Sequence, residues 1–552
     1  MTQWNPAFRG MKYPAYAGGR RAALLRIKRG APIARYLTRC SWANERPVFQ
    51  WTLDLAIDVE FMKKDKAIVW FRRDLRLSDN PALNAAVRNA DSVVPVYIHA
   101  PEEEAPWQIG AASKWWLHKS LVSLDASLRT QGSRLVIRQG PSLAQLMNLV
   151  QESDAKVVYW NRLYDPANVA RDAKIKEELH AHGIDAESFK ACVLYEPWEI
   201  LRPDRSTFRV FTPFYKACVK SFDPEIPVGT PSCLKSPKRW PRGVTADDLK
   251  LMPKFDWASG IESAWSPGEG SARTRLGQFV DVSVATYERN RDFPAVDGVS
   301  RLSPHLHFGE ISPRQIWQTV QAFGIEQQAE TKVSSYLRQL IWRDFAHSLL
   351  FHFPHTTTKP YNDKFRSFPW VETDAETIRA WTKGRTGIPL VDAGMRELWD
   401  TGWMHNRVRM IAASFLTKNA MIHWLEGARW FWDTLVDADL ANNTLGWQWT
   451  AGCGADAAPY FRVFNPVRQG ERFEADGDYI RCWVPELKRL PAAYIHEPWR
   501  ASQSILNDAN LSLGQDYPFP ILDLKKTRQR ALDTYRHFKN QQGAEYEPPF
   551  MT

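Results

Sequence analysis

The stretch between Trp403 and Pro466 constrains this chain more strongly than any other part of its sequence. It interleaves tryptophans, uncharged amides and isolated carboxylates. A hydrolase would need a nucleophile beside a base, and a metalloenzyme would need ligands at defined spacings. Aromatic rings mixed with Arg and Asn instead favour the stacking of flat ligands, electron transfer and nucleic-acid binding.

Three phrases of this stretch follow one another in a fixed order. They are Trp-Met-His-Asn-Arg-Val-Arg-Met from Trp403, Val-Asp-Ala-Asp-Leu-Ala-Asn-Asn from Val436 and Leu-Gly-Trp-Gln-Trp from Leu445. With this order and spacing, the stretch resembles the flavin domain of the DNA photolyase/cryptochrome family. The phrase Phe-Arg-Arg-Asp-Leu-Arg-Leu-Ser-Asp-Asn at 71–80 resembles the N-terminal signature of the same family, and the likeness extends over residues 66–535.

Within the family, two sets of features point in different directions. The phrases at 387–398 and 431–440 are closer to plant cryptochromes, whereas Met410, Asn443 and Trp449 are typical of photolyases. This combination resembles the class III photolyases, the bacterial group nearest to plant cryptochromes.

Composition limits the compartment and the partners. Apolar residues make up 44% of the chain and charged residues 24%, as in globular proteins, and no apolar run has the length of a membrane span. Six scattered cysteines without a CxxC pair favour thiols in a reducing compartment. Residues 1–61 hold ten Lys or Arg and four Asp or Glu, so only about +4 of the net charge of +10 belongs to the remainder. We expect a cytoplasmic monomer without a membrane partner, while the Arg-rich leader leaves an organelle address open.

Short apolar runs alternate with helical stretches in the first part of the chain. The runs lie at 67–70, 93–98, 135–137 and 156–159, and the helical stretches include 113–130 and 169–182. This rhythm predicts a doubly wound, Rossmann-like parallel sheet. No GxGxxG follows the first run, so a nicotinamide dinucleotide is not expected.

The whole chain therefore reads as an α/β protein, with the Rossmann-like sheet domain followed by an all-helical FAD-binding domain. Amphipathic patterns at 333–351 and 412–424 predict long helices in the second domain. Five segments are expected: a basic extension (1–64), the antenna-chromophore sheet domain (65–195), a Pro-rich connector (196–265), the helical domain (266–536) and a short tail (537–552).

The resemblance implies that two groups of residues hold FAD. Hydroxyls and the free amides of a helix start at Ser303-Pro304 suit a diphosphate. The phosphate group comprises Tyr287, Ser300, Arg301, Leu302 and Ser303, and the ring group comprises Arg343, Asn406, Arg409, Asp437, Asp439 and Asn443. In the family, the residues matching Arg409 and Asp437 form an ion pair. The two histidines of His305-Leu-His307 lack further ligands, so no metal is predicted.

Asn443 is the most informative single residue under the resemblance. It matches the position that faces flavin N5, where photolyases have Asn and plant cryptochromes have Asp. A neutral amide tolerates an anionic reduced flavin, whereas a carboxyl group could repel it or donate a proton. Asn443 therefore favours a repair enzyme over a photoreceptor.

The resemblance also assigns an electron relay. Trp447, Trp424 and Trp370 match its proximal, middle and distal members, and the spacing from Trp370 to Trp381 differs by one residue from some photolyases. With 25 tryptophans in the chain, most of these rings must pack in the core.

A third set of residues matches the family's lesion pocket. Trp342 and Trp449 correspond to the aromatics that pack against a flipped-out pyrimidine dimer. Photolyases that act on (6-4) photoproducts have histidines at the positions of Asn406 and Met410, so we expect a different lesion. Gln339 stands where many cyclobutane-dimer photolyases carry Glu, and the phosphate contacts expected beside the pocket are Arg291 and Arg407.

The predicted function is light-driven repair of cyclobutane pyrimidine dimers in UV-damaged DNA by electron transfer from reduced FAD. The alternatives are a blue-light photoreceptor on the same scaffold and a sequence-independent nucleic-acid-binding module, which would not account for Asp437 and Asn443. The Asn-Glu pair of the best-known folate site is replaced by Ala167-Asn168. A folate antenna, such as methenyltetrahydrofolate, would thus have to be held differently.

Overall fold

The computed structural model describes residues 66–221, 225–372 and 374–541, all within one unit of the chain, Glu60–Thr552. The expected basic extension (1–64) and the last eleven residues of the expected tail lie outside the described residues. Where the described part begins, a five-stranded sheet is followed by a largely helical region, which confirms the predicted fold class.

All five strands of the sheet are parallel, in the order β3-β2-β1-β4-β5. Their bounds are β1 (Ala67–Phe71), β2 (Val93–His99), β3 (Val136–Gln139), β4 (Val157–Asn161) and β5 (Asp185–Phe189). Four of them coincide with the predicted apolar runs. The sequence did not predict β5, because Asp-Ala-Glu-Ser-Phe is a polar edge strand without an apolar run.

Four helices cover the two faces of this sheet: α1 (Pro81–Asn89), α2 (Ala111–Thr130), α3 (Ser142–Ser153) and α4 (Pro166–Ala181). Alternate residues of β1 point to opposite faces, so Val69 packs with α1 and α2 whereas Ile68 packs with α3 and α4. The sheet is therefore doubly wound, as predicted. Its strand order reverses between β1 and β4, and ligands of such sheets bind at the carboxyl ends of the strands there.

The rest of the described chain is helical, with irregular connections and short 3-10 turns. The helices are α5 (Phe211–Lys220), α6 (Ser259–Ala264), α7 (Glu269–Val282), α8 (Tyr287–Asn290), α9 (Ser303–His307), α10 (Pro313–Glu326), α11 (Glu330–His352), α12 (Ala375–Thr382), α13 (Pro389–Thr401), α14 (Asn406–Ser414), α15 (Trp424–Thr434), α16 (Leu440–Ala451), α17 (Pro466–Phe473), α18 (Asp478–Trp483), α19 (Gln503–Asp508) and α20 (Leu524–Gln541). The expected connector thus contains α5 and α6, and α20 continues five residues beyond the expected end of the helical domain at 536.

The helix predicted over 412–424 does not exist as one element. α14 passes into a π-helical turn (Phe415–Asn419), Met421 adopts a left-handed φ of 58°, and α15 begins only at Trp424. The segments before and after this break are both buried, so their combined apolar pattern resembles that of a single amphipathic helix. That prediction was wrong.

The sheet and the helical region share one apolar core. Trp116 on α2 packs edge-to-face against Trp265, and the same cluster of buried residues includes Trp403 and Val436. Glu310, which is fully buried, accepts hydrogen bonds from Trp116 Nε1 (3.2 Å) and the Gly268 amide (2.7 Å). This junction fixes the loops of the helical region against the carboxyl edge of the sheet.

The loop at 71–80 belongs to the same junction. The Arg76 side chain is fully buried and donates from Nη1 to the carbonyl oxygen of Gly309 (2.8 Å). Asp79 pairs with Arg314 Nη2 (3.0 Å) on α10. The N-terminal signature therefore holds the two parts of the molecule together through buried charged side chains, of which Arg76 is hydrogen-bonded to a carbonyl and Asp79 is ion-paired.

Candidate functional site

Asp437 is the centre of a polar network in the loop between α15 and α16. Its Oδ2 accepts hydrogen bonds from Ser303 Oγ (2.6 Å) and Arg409 Nη2 (2.8 Å), and Arg409 Nε donates to the Met404 carbonyl (2.7 Å). The structure thus joins residues that are 134 positions apart in the sequence. Asp437 is buried, and its Oδ1 has no partner among the described residues. A buried carboxylate oxygen of this kind is available to a hydrogen-bond donor of a ligand.

Asp439, two residues further on, caps the N-terminus of α16 by accepting the Asn442 amide hydrogen at Oδ1 (2.9 Å). Its Oδ2 faces two buried histidines, with His347 Nε2 at 3.5 Å and His307 Nδ1 at 3.9 Å. Burial lowers the pKa of His347 to about 3, so its imidazole is neutral at pH 7. Burial opposes ionisation of Asp439, but His347, His307 and Arg343 together hold its pKa well below the ordinary range.

The predicted phosphate segment lies next to this network. Trp403 Nε1 donates to Ser303 Oγ (3.4 Å), and the Trp403 ring is flanked by the guanidinium groups of Arg301 (4.9 Å) and Arg409 (5.8 Å). Arg301 has a left-handed φ of 50°, an unfavourable conformation that only surrounding contacts maintain. The Leu302 amide donates to Ser300 Oγ (3.4 Å), which closes the turn that leads into Ser303.

Two further features of this segment concern the expected phosphate group. The helix that starts at Ser303, α9, has only five residues, so its dipole adds little to anion binding. The hydroxyls and Arg301 are the groups left for a diphosphate. Tyr287, also expected in the phosphate group, is buried, and its ring lies 5.1 Å from that of Tyr336.

Three amide or guanidinium side chains that were expected around the flavin ring come from different helices. Asn443 Nδ2 donates to the Ala428 carbonyl (3.0 Å) and joins α16 to α15. Arg343 on α11 donates to the Cys192 carbonyl, beyond the end of β5. Asn406 is exposed at the start of α14, and its Nδ2 lies 3.8 Å from Met410 Sδ one turn later. Asn406 and Met410 therefore share one face of α14.

Trp342 lies in the wall of an open cavity of about 420 Å³. Its ring stacks on Phe211 of α5, with centroids 3.6 Å apart and planes inclined by 9°. The cavity is lined by Tyr215, Glu288, Arg291, Ser334, Ser335, Arg338, Gln339 and Trp342. Gln339 and Arg291 are thus brought together with Trp342, whereas Trp449, Asn406 and Met410 are not among the described residues that line it.

The two arginines predicted to contact phosphate differ in their surroundings. Arg291 lines the cavity and has its guanidinium 5.4 Å from the Tyr287 ring. Arg407 forms an ion pair with Asp292 (Nη2–Oδ1, 2.8 Å) and covers the Phe473 ring at 4.5 Å. Asp292 Oδ1 also lies 4.0 Å from Arg291 Nε, so both arginines share this carboxylate and Arg407 is the more tightly paired of the two.

The three tryptophans of the predicted relay are connected through α15. The Trp447 ring lies against Gly427, where an added Cβ would be 2.0 Å from the indole, and Trp424 lies one turn before Gly427 on the same helix. His423 lies between the other two rings, 5.5 Å from Trp424 and 5.3 Å from Trp370. Trp447 and Trp424 are buried, and Trp370 is half-buried.

Sequence reasoning missed several neighbours of these residues. Phe431 and Trp381 contact the Trp447 ring, with centroids at 4.9 and 6.2 Å. Phe211 stacks on Trp342, with centroids 3.6 Å apart, and His347 Nε2 lies 3.5 Å from Asp439 Oδ2. Phe431 opens the phrase at 431–440 without having been assigned a role, whereas Trp381, Phe211 and His347 lie outside the phrases that carry the family resemblance. The only signal of these three is an aromatic or imidazole ring in a helical pattern.

A second cavity, of about 130 Å³, lies at the carboxyl edge of the sheet. Residues of β1, β2, the start of α4 and the helical region line it, among them Trp70, Tyr97, Trp107, Asp165, Asn168, Arg171, His307 and Trp432. Asp165 Oδ1 and Asn168 Oδ1 have no partner among the described residues. This is the crevice between β1 and β4 where the strand order reverses.

The two parts of the chain match known families separately. Residues 67–232 match the family described as DNA photolyase, and residues 336–537 match the FAD binding domain of DNA photolyase. The chain therefore belongs to the DNA photolyase/cryptochrome family and contains its FAD-binding domain.

Individual relatives include both photolyases and cryptochromes. The chain is 46% identical over 479 residues to a deoxyribodipyrimidine photo-lyase of Agrobacterium fabrum, covering 87% of this chain and 99% of the relative. It is 40% identical to cryptochrome-1 of Arabidopsis thaliana, covering 84% and 69%. The crystal structure of a bacterial class III photolyase from Agrobacterium tumefaciens superimposes with a TM-score of 0.84 at 45% identity, covering 88% and 100%.

In the described ranges, no helix combines the length and the apolar character that crossing a membrane requires. The same residues contain no group of three or more His, Cys, Asp or Glu side chains suited to a metal ion.

Proposed function

We propose that this protein repairs cyclobutane pyrimidine dimers in DNA with light, using bound reduced FAD. The observation that carries the proposal is the 420 Å³ cavity, in which Trp342, flat on Phe211, stands beside Gln339 and a basic rim. A flat, partly exposed ring beside a neutral amide suits an extruded pyrimidine pair. Stacking of a base on such a ring contributes about 1–3 kcal/mol.

The residues around Asp437 fit FAD in chemistry and in unfilled hydrogen bonds. Ser300, Ser303 and Arg301 would hold the diphosphate. The free Oδ1 of Asp437 would accept a hydrogen bond from the flavin ring, and the Arg409 guanidinium beside it would donate one. Once excited by light, reduced flavin supplies the electron that opens the cyclobutane ring of the lesion.

The protein's own contribution is positioning and charge. Arg291 and Arg338 at the cavity rim attract the DNA backbone, and a damaged pair is extruded at lower cost because it stacks poorly. Gln339 donates from Nε2 to the Ser335 carbonyl (3.1 Å), which leaves its amide oxygen for the edge of a base. Asn443 adds no charge near the ring, so an electron-rich flavin is not repelled.

The choice of lesion rests on the family resemblance at two positions of α14, which are not among the residues that line the cavity beside Trp342. Asn406 and Met410 share one face of this helix, and neither can donate a proton as an imidazolium would. Repair of a (6-4) photoproduct, which the family resemblance links to histidines at these two positions, is therefore not expected.

The decisive experiment incubates the reduced protein with oligonucleotides that carry either lesion, in blue light and in darkness. We expect light-dependent splitting of the cyclobutane dimer alone, with one FAD bound per chain. Repair of the (6-4) lesion alone would mean that the pocket is misassigned. Repair of neither lesion, although reduced FAD is bound, would favour the photoreceptor alternative, which the 40% identity to cryptochrome-1 of Arabidopsis supports.

The cavity at the sheet edge is proposed to hold a second, light-harvesting chromophore. Aromatic walls from Trp70, Tyr97 and Trp107 suit a flat heteroaromatic ring, for which a folate is the candidate. Asp165 Oδ1 and Asn168 Oδ1 are free acceptors for its ring N–H groups. Extraction of the purified protein should release a compound that absorbs in the near ultraviolet in addition to FAD.

A further inference from the structure

The rear face of Trp342 is covered by Phe211, which does not itself line the cavity. Phe211, the first residue of α5, is 1% exposed and stacks on the indole with centroids 3.6 Å apart. Trp342 itself is partly exposed and borders the cavity. Because one face of the indole is occupied, only the opposite face can receive a flat ligand.

Phe211 is held in turn by a distant carboxylate. The N-cap residue of α5, Val210, provides no side-chain hydrogen bond, and instead Asp456 Oδ2 accepts the Phe211 amide hydrogen (3.1 Å) across 245 residues of sequence. Asp456 has a left-handed φ of 50°, which an L-residue adopts only where its surroundings enforce it. The α5 helix therefore begins where Asp456 places it.

The same segment is fastened to α16 beside the second predicted lesion aromatic. Ala458 lies two residues after Asp456, and its amide donates to the carbonyl oxygen of Trp449 (3.2 Å). One short segment thus contacts the helix that carries Trp449 and, through Phe211, the ring of Trp342. A shift of this segment would move the two tryptophans relative to each other.

We propose that Phe211 and Asp456 are positioning residues, which set the plane of Trp342 and its offset from Trp449 before DNA binds. The proposal rests on the proposed function for the nature of the ligand, a flipped-out pyrimidine pair. An unsupported, partly exposed indole would sample several rotamers and would lose that freedom on binding. Because Phe211 holds the indole in place before binding, affinity should be about three- to tenfold higher than with an unsupported ring.

The test measures binding in darkness, so that no photochemistry enters the result. Wild-type protein and variants are titrated with a fluorescent oligonucleotide that carries one cyclobutane dimer and with the undamaged oligonucleotide. For Phe211→Leu, we expect binding of the damaged strand to weaken by about three- to tenfold and binding of the undamaged strand to stay the same. Phe211→Tyr keeps a flat ring and should bind like the wild type.

Phe214→Leu is the matched control on the same helix. Phe214 is buried and contacts Phe345 (5.2 Å), so its replacement also leaves a gap in the core next to α11. Its lesion preference should remain that of the wild type.

A second pair of variants keeps the proposal testable if Phe211→Leu folds poorly. Asp456→Ala should lose lesion preference. Asp456→Asn should retain it, because its amide oxygen can accept the same hydrogen bond from the Phe211 amide.

Near-ultraviolet circular dichroism adds a readout independent of binding, since the stacked indole contributes to the aromatic signal. Unchanged lesion preference in Phe211→Leu, despite a changed aromatic signal, would overturn the proposal. An equal loss in Phe214→Leu would overturn it as well, since the effect would then be general to α5. A wild-type protein without any lesion preference would instead overturn the proposed function itself.

Discussion

Among single residues, Trp447 combines a packing role with the proposed redox role. Its buried ring lies against Gly427 and contacts Phe431 and Trp381, so it helps to join α15 and α16. A smaller ring at this position would leave a gap and would also remove the indole that the family resemblance assigns as the proximal member of the electron relay.

We expect Trp447→Phe to abolish most light-driven reduction of oxidised flavin, because phenylalanine is much harder to oxidise than tryptophan. Repair by pre-reduced enzyme should persist, since the repair cycle returns its electron. The stability cost should be about 1–3 kcal/mol, from the unfilled volume. The measurements are flavin absorbance under blue light and urea unfolding. Trp240→Phe, at the edge of the sheet core, serves as the control, and normal photoreduction in Trp447→Phe would refute the relay assignment.

At the scale of elements, the contact between α15 and α16 depends on a missing side chain. Gly427 lies on the face of α15 that receives Trp447, and a Cβ there would meet three indole carbons at 2.0, 2.4 and 2.7 Å. Asn443 on the other helix donates to the Ala428 carbonyl next to it. The two helices can approach this closely only because residue 427 has no side chain.

Gly427→Ala should therefore destabilise the protein by about 1–3 kcal/mol through overpacking, although alanine favours helices by about 1 kcal/mol over glycine. Gly277→Ala is the control, because Gly277 lies within α7 and its added Cβ would meet nothing within 4 Å. That variant should be neutral or slightly stabilised. Urea unfolding of both variants measures the difference, and equal midpoints would contradict the packing argument.

The elements also show what the sequence can and cannot predict. Apolar runs revealed β1 to β4 because buried parallel strands need them, whereas the polar edge strand β5 has no such signal. The pattern over 412–424 predicted one helix, since periodicity does not register the left-handed turn at Met421. Arg409 and Asp437 could be proposed as partners from the family phrases. Asp456 and Phe211 could not, because their contact joins segments 245 residues apart.

At the scale of the whole molecule, buried histidines make the fold less stable in acid. Burial lowers the pKa of His347 to about 3 and that of His405 to about 4, from an ordinary value of 6.5. Both folded values lie below the unfolded one, so these groups stabilise the fold above pH 6.5, and this contribution is lost as pH falls through the folded pKa values. Buried carboxyl groups act in the opposite direction, since burial raises the pKa of Asp344 to about 7 and that of Asp392 to about 6.

Because the histidine and carboxyl effects overlap in pH, the prediction compares the pH dependence of the wild type with that of one histidine variant. His405→Asn keeps a side-chain oxygen for the Arg407 amide, which His405 Nδ1 now accepts at 3.2 Å, but it has no titrating ring. Between pH 6 and pH 5, the wild type should lose about 1 kcal/mol more unfolding free energy than this variant. Urea titrations at both pH values measure it. The exposed His180→Gln should match the wild type, and parallel pH profiles for His405→Asn would contradict the assignment.

The apolar core shared by Trp116, Trp265 and Trp403 has a consequence for how this chain can be divided. Two family segments are recognisable in the sequence, yet one cluster of buried side chains is built from residues of both. Cutting the chain between them would expose the tryptophan cluster and the fully buried carboxylate of Glu310 to water. Recombination with a relative should therefore exchange α2 together with the helices that it packs against, since a crossover placed at the boundary between the segments would pair surfaces that evolved apart.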